Sequence, residues 1–374
     1  MRVRVQRWKL RRTLTLTVVM VALLALLTGC GSDDDEPVAA DEGSEAEGGA
    51  ETTEPAASAE PVTLRLGYFP NVTHAPAIIG VDEGLFEDAL DDNVSLETTT
   101  FNAGPEAVEA LFADALDITY IGPNPAINAF AQSNGEAVRI IAGSTSGGAF
   151  LVVRPGIDSP EDLRGTSIAT PQLGNTQDVA FRSWLADEGM SSDTSGGGDV
   201  SIVPQANADS LTQFQEEAID GAWVPEPWAT RMIQEGGGEV LVDERDLWPD
   251  GRFVTTHVIV RTEFLEEHPD VVRSFLVGHV RSVAFAAEQA TEAQAIVNAG
   301  IEAVTTKALP EPVITAAWEN LEFTDDPIAS SLAESAADAE SVGLLEPVDL
   351  DGIYDLTLLN EVLVDAGRDE VEGL

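Results

Sequence analysis

Short apolar segments alternate with amphipathic segments from Val62 onward, and this alternation is the main structural signal of the sequence. Apolar segments rich in β-branched residues are typical of strands, whereas an apolar residue at every third or fourth position is typical of helices. Strands and helices in alternation predict a parallel sheet with right-handed crossovers. The first predicted strands are Thr63–Tyr68, Ser95–Thr100, Ile118–Ile121 and Arg139–Ala142, and the helices between them lie near Ala75–Phe86, Pro105–Phe112 and Pro125–Gln132.

A second alternating set follows a strand that is predicted at Phe150–Arg154, and the chain then becomes nearly all helical. The strands of this set are Ser167–Ala169, Ser201–Val203, Gly221–Val224 and Val240–Val242, with helices near Thr176–Asp187, Ser210–Glu217 and Pro227–Gln234. A long strand at Phe253–Arg261 precedes helices at Glu263–Glu267, Pro269–Ala287, Glu292–Gly300, Glu311–Glu319, Ile328–Val342 and Leu350–Leu363.

The two alternating sets predict two α/β lobes, because about 310 residues exceed one ordinary domain. We expect the first lobe to contain residues 61–152 and 253–374, and the second lobe to contain residues 153–252. The chain would cross between the lobes twice, near Gly148–Val152 and near Arg252–Thr256. Two lobes with two connections form a hinge and leave a cleft between them.

Residues 1–29 have the arrangement of a secretory signal peptide. Six basic residues precede an apolar stretch from Leu14 to Leu27, which ends in Leu27-Thr28-Gly29-Cys30. This ending resembles the lipobox of bacterial lipoproteins, and the resemblance implies cleavage before Cys30 and lipidation of that residue. The alternatives are an uncleaved anchor helix or a buried structural cysteine, but the apolar stretch is short for a membrane span.

Residues 30–60 predict a disordered acidic tether between the signal and the lobes. The segment Gly31–Glu60 contains no aromatic and no basic residue. Such a segment cannot bury enough apolar surface to fold, and its like charges keep it extended.

The chain is extremely acidic, with 19 basic residues, 66 acidic residues and a formal net charge of −47. Loss of the six basic residues in the signal would leave a net charge of −53. Nucleic acid is excluded as a partner, because phosphate binding needs clustered Lys and Arg. The charge is typical of a well-hydrated surface suited to a salty exterior, and attraction of a cationic ligand is the alternative interpretation. Cys30 is the single cysteine, so no disulfide is expected.

The loops at the carboxyl ends of the predicted strands are the candidate site, because open parallel sheets bind ligands there. After the first strand, Asn71, Thr73 and His74 precede a helix that Thr73 can cap, and the exposed N–H groups there can hold an anion. After the third strand, Gly122 allows close approach of the backbone, and Asn124 is the predicted cap of the next helix.

Three hydroxyl groups follow the fourth predicted strand and are framed by glycines. Ser144, Thr145 and Ser146 offer donors to an oxyanion, and the glycines would serve a hinge. A plain flexible loop is the alternative.

The second lobe offers a helix N-terminus and a pair of tryptophans. Small polar residues join a strand to a helix within residues 171–178, where free N–H groups meet the positive end of the helix dipole. Its predicted ligand-binding residues are Gly174, Asn175, Thr176 and Gln177. Trp223, Glu226 and Trp228 lie on a proline-rich turn and predict an apolar or cationic clamp, with ordinary packing as the alternative. Trp248 and His257 are weaker candidates.

The sequence lacks the motifs of several catalytic sites. It contains no Gly-rich loop ending in Lys-Ser/Thr, no His-Glu-x-x-His pair and no Gly-x-Ser-x-Gly segment. The carboxylates are too numerous for any pair to stand out as acid and base, and the four histidines are scattered. Catalysis is not excluded by these residues, but nothing in them requires it, and we expect no enzyme activity, no cofactor and no metal site.

Seven segments carry a likeness to a known family, and they are Leu66–Asn71, Gly84–Phe86, Phe101–Gly104, Ile121–Pro125, Ala169–Asp178, Pro225–Trp228 and Thr256–Arg261. Together they resemble the nitrate, sulfonate and taurine family of ABC-transporter substrate-binding proteins, with the aliphatic sulfonate branch closest. The resemblance covers nearly all of residues 63–363. It implies an α/β, two-lobe periplasmic-binding-protein fold of type II with two hinge crossovers.

The resemblance also implies a function. An extracytoplasmic lipoprotein, anchored to the outer face of the cell membrane by its lipid, would bind an aliphatic sulfonate or a similar small oxyanion. It would deliver this ligand, as a monomer, to an ABC permease and its ATPase. No basic residue lies in the candidate loops, so N–H and hydroxyl dipoles would hold the anion.

Phe69-Pro70-Asn71 with His74 also resembles the branch that binds thiamine-precursor pyrimidines. A pyrimidine-binding protein is therefore the alternative function. An enzyme that forms such a pyrimidine from its own histidine is a more remote alternative. It would need a cofactor-binding lysine, and Lys307 is the single lysine outside the signal.

Overall fold

Two β-sheets organise residues 60–374, which are the residues that the computed structural model of the protein describes. The predicted signal peptide, Cys30 and the predicted tether up to residue 59 lie outside the described residues. No helix within residues 60–374 is both long enough and apolar enough to cross a membrane.

Strands and helices alternate along the first two thirds of the described chain. The strands are β1 (Val62–Tyr68), β2 (Val94–Thr100), β3 (Ile118–Ile121), β4 (Val138–Gly147), β5 (Ala149–Val153), β6 (Ser167–Thr170), β7 (Ser201–Pro204), β8 (Gly221–Pro225), β9 (Glu239–Asp243), β10 (Val254–Arg261) and β11 (Leu321–Phe323). The α-helices are α1 (Ala75–Asp82), α2 (Gly104–Phe112), α3 (Pro123–Gln132), α4 (Thr176–Asp187), α5 (Asn207–Gln215), α6 (Trp228–Gly236), α7 (Thr262–Glu267), α8 (Pro269–Glu288), α9 (Ala290–Thr305), α10 (Glu311–Glu319), α11 (Ala329–Ser341) and α12 (Thr357–Asp365). Short 3₁₀ turns lie at Val72–His74, Pro160–Leu163, Glu244–Leu247 and Pro249–Gly251.

Both sheets are mixed rather than purely parallel. The first has the order β11-β4-β10-β3-β1-β2, and the second has the order β7-β6-β8-β5-β9. In the first, β1 is parallel to β2 and β3, whereas β10 is antiparallel to β3 and β4. In the second, β6 is parallel to β7 and β8, whereas β5 is antiparallel to β8 and β9. The prediction of parallel sheets was therefore wrong for the strands next to the points where the chain passes between the sheets.

The chain passes from the first sheet to the second at one residue. Gly148 alone separates β4 from β5, and both Gly147 and Gly148 have a positive φ, at 78° and 71°. The chain returns to the first sheet through the 3₁₀ turns that precede β10. Left-handed backbone at two successive residues favours glycine, which explains the Gly-Gly pair at this crossing.

Helices cover both faces of each sheet. In the first sheet, α1, α8, α9, α10 and α12 pack on one face around Phe275, and α2, α3 and α11 pack on the other face. In the second sheet, one face carries α4 and the other carries α5 and α6. Each fully buried side chain such as Phe275 or Phe214 stabilises the fold by about 1.5–3 kcal/mol relative to its exposed state. These layers hold the ends of the parallel strands in place.

Most predicted elements occur within a few residues of their predicted bounds, with five differences, one of which is that α9 continues to Thr305 instead of ending at Gly300. Helix α1 ends at Asp82 because Gly84 takes a φ of 67°. Strand β4 continues to Gly147, and β11 was not predicted. Helix α12 begins at Thr357, because the preceding segment pairs with β4 through an Ile140 N–H bond to the Ile353 carbonyl at 2.8 Å.

Candidate functional site

A small cavity of about 30 Å³ lies where strand ends from both sheets meet. Its lining comes from the loops after β1, β2, β3, β6 and β7, from the end of β8 and from the start of β10. The lining residues are Phe69, Asn71, Thr73, His74, Asn102, Gly122, Asn175, Thr176, Gln177, Asn207, Pro225, Thr255 and Thr256. This is the edge at which parallel sheets place their ligands.

Four helical N-termini reach this cavity. The 3₁₀ turn Val72–His74 leads into α1, Gly122 is the residue before α3, Asn175 caps α4, and Asn207 is the first residue of α5. The first N–H groups of a helix have no partner within it, and the helix dipole places partial positive charge there. The cavity therefore concentrates donors without any formal charge, which is suited to an anion.

Two buried side-chain atoms in the cavity lack a hydrogen-bond partner, namely Thr176 Oγ1 and Asn207 Oδ1. A buried polar group without a partner costs about 1–3 kcal/mol. The backbone of Gly122 lies so close to the threonine that an added Cβ would be 2.4 Å from Thr176 Oγ1. The Thr176 hydroxyl can donate to an acceptor atom of a ligand, whereas the Asn207 amide oxygen can only accept and needs a donor.

His74 is buried beside the cavity in its neutral form. Its Nδ1 accepts a hydrogen bond from the Phe69 N–H at 3.4 Å, and the two rings lie 4.4 Å apart. Burial lowers the pKa of His74 to about 3, because no carboxylate compensates the loss of water around the charged ring. His74 therefore contributes no positive charge near neutral pH.

Among residues 60–374, no charged side chain lines the cavity. An anion would be held by backbone N–H groups, amides and hydroxyls alone, as the sequence predicts. A low-dielectric surrounding strengthens such hydrogen bonds and makes them depend on geometry rather than on net charge.

Asp178 shapes the loop before α4. This fully buried carboxylate accepts hydrogen bonds from Thr170 Oγ1 at 2.7 Å, from the Gly174 N–H at 3.0 Å and from Arg182 Nε at 3.0 Å. Gly174 has a φ of 75°, which favours glycine there. The Gly174 N–H therefore points to Asp178 rather than to a ligand, and Gly174 does not line the cavity.

The structure brings seven of the predicted site residues together around the cavity, namely Asn71, Thr73, His74, Gly122, Asn175, Thr176 and Gln177. The predicted cap at Thr73 was wrong, because its side chain makes no capping bond and the residue lies within a 3₁₀ turn. The Thr73 carbonyl instead accepts hydrogen bonds from Thr145 Oγ1 at 2.8 Å and Thr256 Oγ1 at 3.0 Å. The actual side-chain cap is Asn175, which accepts from the Thr176 N–H at 3.0 Å.

Ser144, Thr145 and Ser146 were predicted to follow the fourth strand and to offer donors to an oxyanion, but they lie within strand β4. All three residues are buried, and none lines the cavity. The Thr145 hydroxyl is used by the Thr73 carbonyl, and Ser146 Oγ accepts from the Phe253 N–H at 3.3 Å. The predicted end of the strand at Ala142 was wrong because glycine and hydroxyl residues are frequent in loops, whereas here the strand pairs with β10 on one side and β11 on the other.

Four other predicted residues lie outside the cavity. Asn124 is not a cap, because α3 begins at Pro123 and the Asn124 amide donates to the Ser335 carbonyl at 3.0 Å. Trp223 is fully buried, and its Nε1 donates to Glu244 at 2.7 Å. The placement of Trp223 corresponds to the packing alternative rather than to a clamp.

Glu226 and Trp228 lie beside the cavity and do not line it. Each forms a hydrogen bond that links a loop of one sheet to a loop of the other. Glu226 is fully buried and accepts from Asn320 Nδ2 at 2.8 Å, and Trp228 Nε1 donates to Asn71 Oδ1 at 3.0 Å. His257 is also outside the cavity, because its Nε2 pairs with the Pro327 carbonyl at 3.0 Å.

Several lining residues were not predicted as site residues, and they are Phe69, Asn102, Asn207, Pro225, Thr255 and Thr256. The signal for Asn102 was available, because it follows β2 in the same way that Asn71 follows β1. Asn207 was missed because the helix was predicted to begin at Ser210. The two threonines were missed because an antiparallel β10 presents its beginning, rather than its end, at this edge.

The model of the NMT1-like family matches residues 57–300 of the chain. A Bacillus subtilis (strain 168) protein whose name assigns it the binding of aliphatic sulfonates is 24% identical over 358 residues, which cover 92% of this chain and 96% of that protein. The taurine-binding periplasmic protein of Escherichia coli (strain K12) is 28% identical over 220 residues, which cover 58% of this chain and 64% of that protein.

Among solved structures, the alkanesulfonate-binding protein SsuA from Xanthomonas axonopodis pv. citri, bound to MOPS, matches with a TM-score of 0.66. It is 18% identical, and the match covers 80% of this chain and 99% of that chain. This likeness confirms the predicted two-sheet α/β fold of periplasmic binding proteins.

Proposed function

The chain belongs to the NMT1-like family, and from that premise we propose that it is the substrate-binding component of an ABC importer. Its ligand is an aliphatic sulfonate or a similar small oxyanion, bound in the cavity between two lobes. The named relatives are binding proteins, one of them periplasmic, which supports an extracytoplasmic binding role. A permease and an ATPase are then its partners.

The observation that carries the proposal is the uncharged cavity with four helical N-termini and the buried hydroxyl of Thr176, which has no hydrogen-bond partner among the described residues. An oxyanion offers several lone pairs to converging N–H and hydroxyl donors. An apolar ligand would leave those donors buried without partners, at a cost of about 1–3 kcal/mol for each.

The proposed lobes are residues 61–152 with 253–374, and residues 153–252. Hydrogen bonds link loops of the two sheets around the cavity, from Trp228 to Asn71 and from Gln172 Nε2 to Glu106 at 2.7 Å. We propose that the lobes separate to admit the ligand and that these bonds form on closure. The closed state is then the form that the permease distinguishes from the open form.

Lipidation of Cys30, cleavage before it and a monomeric state stay predictions from the sequence. Replacement of Cys30 by Ala is expected to abolish detergent-dependent partition into membranes. Unchanged partition in that variant would exclude the lipid anchor.

Thermal unfolding in the presence of a ligand panel tests the proposed function. The panel contains alkanesulfonates, taurine, nitrate, bicarbonate and a hydroxymethylpyrimidine. A ligand at 100 times its dissociation constant is expected to raise the free energy of unfolding by about 2.7 kcal/mol. Stabilisation by the pyrimidine alone would replace the oxyanion with the alternative ligand class, and no stabilisation by any member would reject the proposal.

A further inference from the structure

A second cavity, of about 160 Å³, lies between α4, the 3₁₀ turn Glu244–Leu247 and α11. It shares no lining residue with the cavity described above. Its lining includes two indoles and four carboxyl groups, which belong to Trp184, Trp248, Asp187, Glu244, Glu334 and Asp338. No basic side chain lines it.

Glu244 is 1% exposed and has no cationic partner. Its Oε2 accepts a hydrogen bond from Trp223 Nε1 at 2.7 Å, so a neutral donor rather than a cation stabilises this buried carboxyl group. Burial, reinforced by repulsion from Asp338, raises the pKa of Glu244 to about 7. The neighbouring Arg245 is engaged elsewhere, because its Nη2 pairs with Asp243 at 2.6 Å.

Asp338, on α11, is a second carboxyl group of this cavity and is partly buried. Its Oδ1 accepts from Ser183 Oγ at 2.8 Å, and burial together with repulsion from Glu334 and Asp187 raises its pKa. The cavity therefore gathers carboxyl groups that lower one another's tendency to ionise. A cation placed among them would reverse this effect.

Besides the carboxyl groups, the cavity is lined by two indole rings. Trp184 is buried against Trp223, with ring centroids 5.9 Å apart, and Trp248 is stacked on Phe253 at 5.6 Å. Both rings are thus held by neighbouring aromatic side chains. Indole faces attract cations, with about 0.5–2 kcal/mol for each contact depending on desolvation.

We propose that this cavity binds a small organic cation of the alkylammonium class. Within residues 60–374 no group of three potential ligands is close enough together to hold a metal ion, which favours an organic cation over a bare one. The indoles would contact the alkyl substituents, whereas Glu244 and Asp338 would neutralise the charge. The exposed carboxylates Asp187 and Glu334 would attract the cation at the rim.

The test is a titration of the full chain with tetramethylammonium chloride and with ethylammonium chloride, followed by tryptophan fluorescence and by thermal unfolding. Sodium chloride at the same ionic strength is the reference, because any salt screens the charge of so acidic a protein. We expect a saturable change with at least one organic cation and none beyond screening with sodium. An equal response to sodium would overturn the proposal.

Two variants test whether the organic cation binds in this cavity. In Trp248→Leu and in the double variant Asp187→Asn with Glu334→Gln, the dissociation constant is expected to rise about fivefold or more, through loss of an indole face or of rim charge. Glu302→Gln, an exposed acidic position on α9, removes the same kind of charge elsewhere and should leave the constant unchanged. Parent-like titration of both site variants would show that the cation does not occupy this cavity. Circular dichroism and unfolding curves verify that the variants are folded.

Discussion

At Thr176, the effect of a side chain on ligand affinity can be measured separately from its effect on the stability of the fold. The Thr176 hydroxyl is buried without a hydrogen-bond partner among the described residues, and the residue begins α4, whose N-terminus lies at the cavity. In the unliganded protein this hydroxyl costs free energy, whereas beside an oxyanion it would donate a charge-assisted hydrogen bond.

Replacement of Thr176 by Val keeps the shape of the side chain and removes the hydroxyl. We expect the dissociation constant for the oxyanion to rise about ten- to a hundredfold, which corresponds to loss of a hydrogen bond to a charged group of about 1.5–3 kcal/mol. The unliganded protein should be as stable as the parent or slightly more stable. Calorimetric titration and urea unfolding measure the two quantities. Thr212→Val, at an exposed site on α5, is the matched control. Parent-like affinity would mean that the anion binds elsewhere.

The neutral state of His74 predicts the pH dependence of binding. Its pKa, lowered by burial to about 3, leaves no titrating side chain in the cavity lining between pH 5.5 and 8.5. The affinity for a permanently ionised sulfonate should therefore be constant over this range in titrations at fixed ionic strength. An affinity that increases toward acid with a midpoint near 6.5 would show that His74 binds a proton and pairs with the anion.

His74 also affects stability, and the direction follows from its pKa. The folded value of about 3 lies below the unfolded value of 6.5, so the unfolded chain binds the extra proton between these limits. The contribution of His74 to stability is therefore complete above pH 6.5 and decreases as the pH falls toward 3.

At the scale of elements, the segment between β6 and α4 is held by one carboxylate. Asp178 links the end of the strand through Thr170, the turn through Gly174 and the helix through Arg182. Both members of the Asp178–Arg182 pair are almost fully buried. The position of the N-terminus of α4, at Thr176, thus depends on an ion pair whose two residues do not line the cavity.

Asp178→Asn is expected to leave Arg182 buried without a counter-charge. Removal of one partner from a buried ion pair costs about 3–5 kcal/mol, so the midpoint of urea unfolding should fall markedly. Hydrogen exchange at the Gly174 amide should accelerate more than exchange in the core of the second sheet. Asp158→Asn, on a surface turn of the same region, is the control. A parent-like midpoint would contradict the structural role of this pair.

The same elements show what could be predicted from the sequence. Strand β3 and helices α4 and α10 were predicted at their observed bounds, because each lies next to turn-forming residues, namely Gly122 after β3, Asn175 before α4 and Asn320 after α10. The end of β4 was not, because Gly143–Gly147 is a strand only through pairing with distant segments. The site was predicted where it depended on strand ends, as at Asn71 and Thr176. Thr255 and Thr256 were missed because their position at the cavity depends on the direction of β10.

For the whole molecule, the hydrogen bonds between loops of the two sheets beside the cavity would determine how firmly the two proposed lobes close. The bond from Trp228 Nε1 to Asn71 Oδ1 at 3.0 Å joins the start of α6 to the loop after β1. It lies at a residue that also lines the cavity, so ligand binding and closure would share Asn71.

Trp228→Phe retains an aromatic ring and removes this hydrogen bond. We expect ligand affinity to fall about three- to tenfold, because one neutral hydrogen bond contributes about 0.5–1.5 kcal/mol. Small-angle scattering should show a larger radius of gyration for the liganded variant than for the liganded parent. Equal radii with equal affinities would indicate that this contact plays no part in closure.

The uncharged lining of the cavity has a consequence for the kinetics of capture. A molecule with a formal net charge of −47 repels an anion at long range, and no local cation focuses the anion into the cavity. Added salt screens that repulsion within about 10 Å at 0.1 M. The association rate of the oxyanion should therefore rise with ionic strength while its dissociation rate stays nearly constant, the reverse of electrostatic steering. Such a protein would capture the oxyanion fastest at high salt concentration. At low ionic strength its own negative charge would slow the association.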